Sequence, residues 1–308
     1  MKNNNILKWI LWIIIFFMFG YIFYNNFIEG YTDEKTIKIY NSHHLGDNIF
    51  SMIYFYNIKP YIEDNNIKIE YYMKPEYHKQ VQEFVPSQNI VLKEYVDNMD
   101  TNGMHDIWIG NKEYKCNFYD YSDKKDVCGL NANADNGFND FLKSFFNEFN
   151  NKININAKKM NEFIYTDEDL IKRYENLSDD YKNIDILVIN SDPASGQYKL
   201  DDAIWNKKIE EFVSKKWKVV ITKKSTNVAK CTVDDKLTVK DIAAISTHAK
   251  VIIAINTGVI TGFFNSYTMN NVKRVYIFDD TLNYSYKNWI NKNHIDDIPI
   301  NELSQLLS

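Results

Sequence analysis

Basic residues are not in excess in this chain: 36 Lys and Arg stand against 41 Asp and Glu, a net charge of −5 at pH 7. Binding a phosphate backbone needs clustered Lys and Arg, so nucleic acid is excluded as the main partner. Cysteine is scarce too, with three in 308 residues and no zinc spacing among them. Cys116 and Cys128 bracket the polar loop "CNFYDYSDKKDVC". They read either as a disulfide in an oxidising compartment or as two unpaired thiols. Five prolines and ten glycines leave little material for flexible linkers, so those present mark turns. Metal-ligand patterns are thin. His43 and His44 are adjacent and lack partners at ligand spacing, which favours plain polar contacts. The one Asp-x-Asp triplet, Asp167-Glu168-Asp169, precedes "LIKRY" and reads as acidic residues in the first turn of a helix. No metal requirement is expected.

One long apolar run is present. From Trp9 to Ile28, "WILWIIIFFMFGYIFYNNFI" carries no charge for about 20 residues, enough to span a bilayer as a helix. A cleaved signal peptide would end in small residues, and this run ends in Tyr, Phe, Asn and Ile, which favours an uncleaved anchor. Lys2 and Lys8 precede the run; Glu29, Asp33 and Glu34 follow it. The positive-inside rule leaves the N-terminus in the cytosol and the globular part on the lumenal side, although Lys35 and Lys38 pull the other way. The sequons Asn176-Leu177-Ser178 and Asn283-Tyr284-Ser285 add weak support.

Beyond the anchor, strand-like and helix-like runs alternate. Strands are expected at 36–41, 67–73, 89–95 and 105–110, with "NIFSMIYFYNIKPYI" and "PEYHKQVQEFV" as helices among them. A polar stretch from Cys116 to Asn136 interrupts the pattern, and helical runs follow at 138–149 and 166–177. A second alternation supplies strands at 184–190, 217–224, 250–256 and 273–279, with a short "AKCTV" between. These runs lack period-two alternation, as strands covered on both faces do. The expected architecture is α/β: two Rossmann-like domains facing across a cleft. The boundaries fall at 1–30 for the tail and anchor, 31–165 for the first domain and 166–308 for the second.

In such sheets ligands bind beyond the carboxyl ends of the strands, where strand order reverses. In the second domain the first and fourth strands should flank that point, followed by the loops "NSDPASGQY" (190–198) and "NTGVITG" (256–262). Asn256, Thr257 and Gly258 open a helix-like run, where free amides and a helix dipole suit a diphosphate. A simple helix cap explains the same residues. Ser195 and Gly196 should face them. Lys223 and Lys224 end a neighbouring strand, where they either add charge to the pocket or form a solvated strand end. In the first domain, Asp47 follows a strand in "SHHLGDNIF" and is either a helix N-cap or a catalytic base. Thr238 with Asp241 reads as a capping pair.

These residues resemble glycosyltransferase family nine, the lipopolysaccharide heptosyltransferase-like enzymes of GT-B fold. Leu45-Gly46-Asp47 matches the family's Leu-Gly-Asp between its first strand and helix. Leu237, Thr238, Asp241, Ile242 and Ala243 fit its Leu-Ser/Thr-Leu-x-Glu-Leu-Ala helix, and Thr257-Gly258 its Asp-Ser/Thr-Gly-Pro-x-His turn. The order and spacing match over most of residues 35 to 280. Asn256 replaces the family's acid, Val259 its proline, and Thr261 stands where His is frequent. Lys199 and Trp205 are six apart, so the family's close basic-Trp pattern is not matched. The resemblance implies an inverting, metal-independent transferase without a cofactor. A nucleotide-diphosphate sugar is the implied donor and a glycan or glycoconjugate the acceptor. It gives Asp47 the role of general base; the two loops at the switch point give Ser195, Gly196, Lys223, Asn256, Thr257 and Gly258 that of donor contacts. The altered turn keeps a second expectation open, an inactive relative that binds glycan or nucleotide sugar.

Overall fold

The computed structural model describes residues 35–115, 137–160, 162–193, 202–279 and 294–299, together with 15–18, 21 and 302. Two parallel sheets organise them. The first holds β1 (Lys35–Asn41), β2 (Ile67–Met73), β3 (Ile90–Glu94) and β4 (His105–Asp106) in the order β3-β2-β1-β4. The second holds β5 (Ile186–Ile189), β6 (Val219–Ile221), β7 (Lys230–Cys231), β8 (Val251–Ile255), β9 (Arg274–Asp279) and β10 (Ile295–Pro299). Its order is β10-β9-β8-β5-β6-β7. Strand order therefore reverses between β1 and β4 in one sheet and between β5 and β8 in the other. Each gap is a place where the chain leaves in opposite directions and opens a crevice.

Parallel strands need crossovers, and helices supply most of them. They are α1 (Leu45–Asp64), α2 (Pro75–Gln82), α3 (Gly137–Lys152), α4 (Asp169–Asn176), α5 (Asp202–Ser214), α6 (Val239–Ser246) and α7 (Ser266–Asn271). α1 has no continuous polar stripe. Ile49, Met52, Ile53, Tyr54, Phe55, Ile58 and Ile62 are buried around its circumference, as expected of a core helix. One side covers the first sheet; Tyr54 stacks on Phe146 of α3, ring centroids 4.8 Å apart.

The two sheets differ in how they are covered. β5, β6 and β8 are buried at successive residues, the both-faces pattern. β1 instead alternates: Ile37, Ile39 and Asn41 point inward, while Thr36 and Lys38 are exposed. The β3-to-β4 connection, residues 95–104, returns without a helix. Among the described residues the first sheet thus carries helices on one face only, short of the fully doubly wound layer.

Two apolar clusters lie against the second sheet. Trp205, Ile209 and Phe212 of α5 pack on Val188, Ile253, Ile255 and Phe278. The other cluster does not stop at the lobe boundary. It runs from Ile37 and Ile53 through Phe84 and Tyr165 to Ala243, Phe263 and Ile277. Tyr165 ties the halves directly, its N–H donating to Phe264 O at 3.2 Å and its hydroxyl to Gly262 O at 2.7 Å.

Among the described residues no helix is long and apolar enough to cross a membrane. The expected anchor, 9–28, lies largely outside them; its residues 15–18 are helical. Cys116, Cys128 and Asn283 also lie outside, while Cys231 is buried and free.

Candidate active site

Asn41 closes the end of β1 onto the start of α1. Its amide nitrogen lies 3.3 Å from both Asp47 O and Ser51 Oγ, and its carbonyl oxygen accepts from His43 N at 3.1 Å. α1 begins at Leu45, so His44 is the N-cap and Asp47 the third helical residue. This corrects the N-cap alternative for Asp47, because the helix starts one turn earlier than a capping Asp47 requires. From that position the carboxylate reaches back, Oδ2 accepting the His44 N–H at 3.1 Å. Burial raises its pKa, with the His44 amide and imidazole and the Trp108 side chain acting the other way. The side chain keeps 25% of its surface exposed, so a proton can still leave. Asp47 lines a pocket with Asn41, Phe50, Ser51, Trp108 and Phe146.

The sequence-distant motifs meet at two glycines. A Cβ on Gly46 would stand 2.8 Å from Gly258 Cα, and one on Gly258 would stand 2.8 Å from Gly46 N. Backbone therefore touches backbone between the α1 start and the turn that follows β8. Thr257, next to Gly258, is buried, and its Oγ1 finds no hydrogen-bond partner among the described residues. Gly258–Phe263 is a six-residue 3-10 turn in place of the expected α-helix, so the aligned dipole at this anion site is smaller than anticipated.

Asn256 continues from β8, its N–H donating to Phe278 O at 2.9 Å. On the neighbouring strand pair, Asn190 after β5 accepts from Thr222 N and Lys223 N through Oδ1, at 3.1 and 2.9 Å. Lys223 is held between two carboxylates, Nζ lying 3.0 Å from both Asp192 Oδ2 and Asp202 Oδ1. Partial burial draws its pKa down, but the two acids more than offset this and leave it raised. Lys224 pairs with Asp234 at 2.9 Å. Ser195 and Gly196 lie outside the described residues.

Other functional-type residues have no pattern in the sequence. Asp106 ends β4, opposite Tyr40 of β1, and accepts from Trp108 N at 2.9 Å and Asn111 Nδ2 at 2.8 Å. Burial pushes its pKa up to about 6 against those donors. Its one signal is an acid inside the apolar run "HDIWIG". His43 stacks on Trp108 with centroids 3.6 Å apart, and burial, then His44 and Lys74, push its pKa down to about 4. Of the acidic triplet, Asp169 opens α4, while Asp167 turns inward to the buried Lys240 and to Tyr56. Thr238 and Asp241 do cap α6, Thr238 N donating to Asp241 Oδ2 at 2.9 Å. Arg173 then bridges Asp241 and Glu83 at 3.0 and 3.1 Å, a further tie between the lobes.

No protein-family profile and no curated protein matches the sequence. Solved structures do match. E. coli heptosyltransferase WaaC with ADP aligns at a TM-score of 0.51, covering 88% of this chain and 96% of that one at 9% identity. E. coli heptosyltransferase WaaC with ADP-2-deoxy-2-fluoro heptose aligns at 0.54, with the same coverage and identity. At such identity the likeness is one of fold, and it extends over both lobes. The fold of this chain is therefore the two-lobed, heptosyltransferase-like one that the resemblance to glycosyltransferase family nine implies.

Proposed function

We propose that this chain is a glycosyltransferase, moving a sugar from a nucleotide-diphosphate sugar to a hydroxyl of a glycan or glycoconjugate acceptor. The observation that carries the reading is the Gly46–Gly258 contact, which brings the Asp47 helix start against the Thr257 turn. Asp47 takes the acceptor hydroxyl's proton as that oxygen attacks the anomeric carbon. The sugar–phosphate bond breaks on the opposite face, the configuration inverts, and the nucleoside diphosphate leaves with the bonding electrons. Thr257 offers a hydroxyl to that leaving group, with the Asn256 and Gly258 backbone beside it. Lys223 supplies charge once the diphosphate competes with Asp192 and Asp202. The reaction in this reading uses no metal. The 9–28 run anchors the enzyme, leaving the lobes on the lumenal side; protease protection in sealed membranes tests that, and digestion from the cytosolic face would overturn it.

The structures named for WaaC hold ADP and an ADP-sugar analogue, so ADP heads the panel of nucleoside diphosphates for calorimetry. Asp47→Asn keeps an acceptor for the His44 N–H and loses the base. Turnover should fall by roughly 10²–10⁴-fold, with nucleotide affinity unchanged. Full turnover in the folded variant would remove the assignment. The second reading is an inactive module that binds glycan or nucleotide sugar, and one observation favours its glycan form: both acids that hold Lys223 oppose an anionic ligand. Nucleotide or glycan binding without any donor hydrolysis or transfer by the wild-type chain would establish it.

A further inference from the structure

We propose that Trp108 is a positioning residue, its indole N–H fixing the Asp47 carboxylate from across the switch point of the first sheet. This rests on the reading of Asp47 as the base, although the contact can be tested without it. The two side chains line the same pocket, one from the start of α1 and the other from the turn after β4. An indole nitrogen only donates, and an ionised carboxylate only accepts, so the pair has one possible sense. The Trp108 side chain also acts to lower the Asp47 pKa, the direction a donor to the carboxylate gives. With the His44 N–H at 3.1 Å, the carboxylate is then held by donors from two different elements.

The indole is itself held. The His43 ring stacks on it at 3.6 Å with an interplanar angle of 18°, and the His43 backbone N–H donates to Asn41 Oδ1 at 3.1 Å. Asp106 and Asn111 close the turn that carries Trp108, and the Tyr114 hydroxyl donates to Asp106 O. Gly110 makes the room: a Cβ there would stand 2.4, 2.5 and 2.8 Å from three ring carbons of the indole.

The titratable groups that face Asp47 are His44 at the helix cap, Tyr71 of β2 and Tyr77 of α2, with His43 and Asp106 on the flanking turns. All stay in place in Trp108→Phe, which keeps a flat ring for His43 and Gly110 but has no donor. The test is a carbon-13 titration of labelled aspartate carboxyls in the detergent-solubilised full chain. The Asp47 signal is assigned by its loss in Asp47→Asn. A lost donor disfavours the charged carboxylate, so the Asp47 midpoint should move up in Trp108→Phe, with little change in melting. Turnover should fall by at most roughly 10²-fold, the cost of a misplaced group, with donor KM unchanged. Gly110→Ala keeps the indole but drives it aside, and should move the midpoint the same way. It also decides the matter if Trp108→Phe does not fold. A wild-type midpoint in either folded variant overturns the proposal. Full turnover in Asp47→Asn would instead sink the base and leave the measured clamp standing.

Discussion

Gly258→Ala turns the meeting of the two motifs into a measurable energy. Gly258 has no left-handed backbone, since Gly103 is the one described glycine with positive φ, at 76°. Conformation alone would therefore favour alanine, by about 0.4–1 kcal/mol through the unfolded chain. Space decides the other way. The new methyl would meet Gly46 N at 2.8 Å and Gly46 Cα at 3.2 Å, and both are backbone atoms that no rotamer change can remove. Overpacking of this kind costs about 1–3 kcal/mol. Net of the alanine gain, and at 2–4 °C per kcal/mol for a large domain, Tm should fall by up to roughly 10 °C. Gly262→Ala is the control. Its Cβ would meet Ala243 Cβ and Val239 Cγ1 at 3.3 Å rather than 2.8 Å, so neighbours need yield only a few tenths of an ångström and its loss should be much smaller. Gly46→Ala should resemble Gly258→Ala, and the double variant should cost less than the sum, because the first methyl has already parted the backbones. Circular-dichroism melting of the four variants and the wild type is the assay. A Gly258→Ala protein that melts at or above the wild-type temperature would refute the contact.

Thr257→Val removes a buried hydroxyl without a partner, so Tm should hold or rise, while ADP affinity by calorimetry should weaken if that hydroxyl meets the diphosphate. Affinity equal to wild type would take Thr257 out of the donor site. Asp167→Asn leaves the Lys240 ammonium, 1% exposed, without its counter-charge and should cost about 3–5 kcal/mol in denaturant melts. Burial alone would raise the Asp167 carboxyl, but Lys240 and Tyr56 more than offset it and hold it below the ordinary value. Its contribution is therefore present above the unfolded carboxyl's pKa and lost as pH falls through the folded one. Wild-type stability should decline across that acid range, and Asp167→Asn should lack that part of the decline. Equal acid profiles would refute the pairing.

Much of the scaffold was legible because parallel strands leave a strong signature. The runs at 67–73, 184–190 and 250–256 sit within two residues of β2, β5 and β8. The first and fourth strands of the second domain do flank the reversal. β10 was not legible: "IDDIP" is two-fifths acidic and ends in proline, and pairing with β9 alone makes it a strand. The open face of the first sheet was also missed, although Thr36 and Lys38 alternating with Ile37 and Ile39 carried the sign. Asp47 stood out through its place after a strand, but its capping role was off by three residues, since a polar His44 hid the helix start. Trp108, Asp106 and Gly110 left no motif. Their relation to Asp47 arises from β4 lying beside β1, which no local stretch encodes.

The core shared by the two lobes bears on how the chain is made. α1 emerges from the ribosome roughly 200 residues ahead of the Gly258–Phe263 turn that covers one flank of it. At ordinary synthesis rates that is on the order of 10 to 40 s with Phe84 and the upper flank of α1 facing water. Native contacts cannot close the gap sooner, because Phe263 and Ala243 of the same cluster do not yet exist. The nascent first lobe is thus an unfinished surface, open to aggregation until the second lobe is made. A chain stopped before residue 239 carries that surface permanently and should be retained in aggregates.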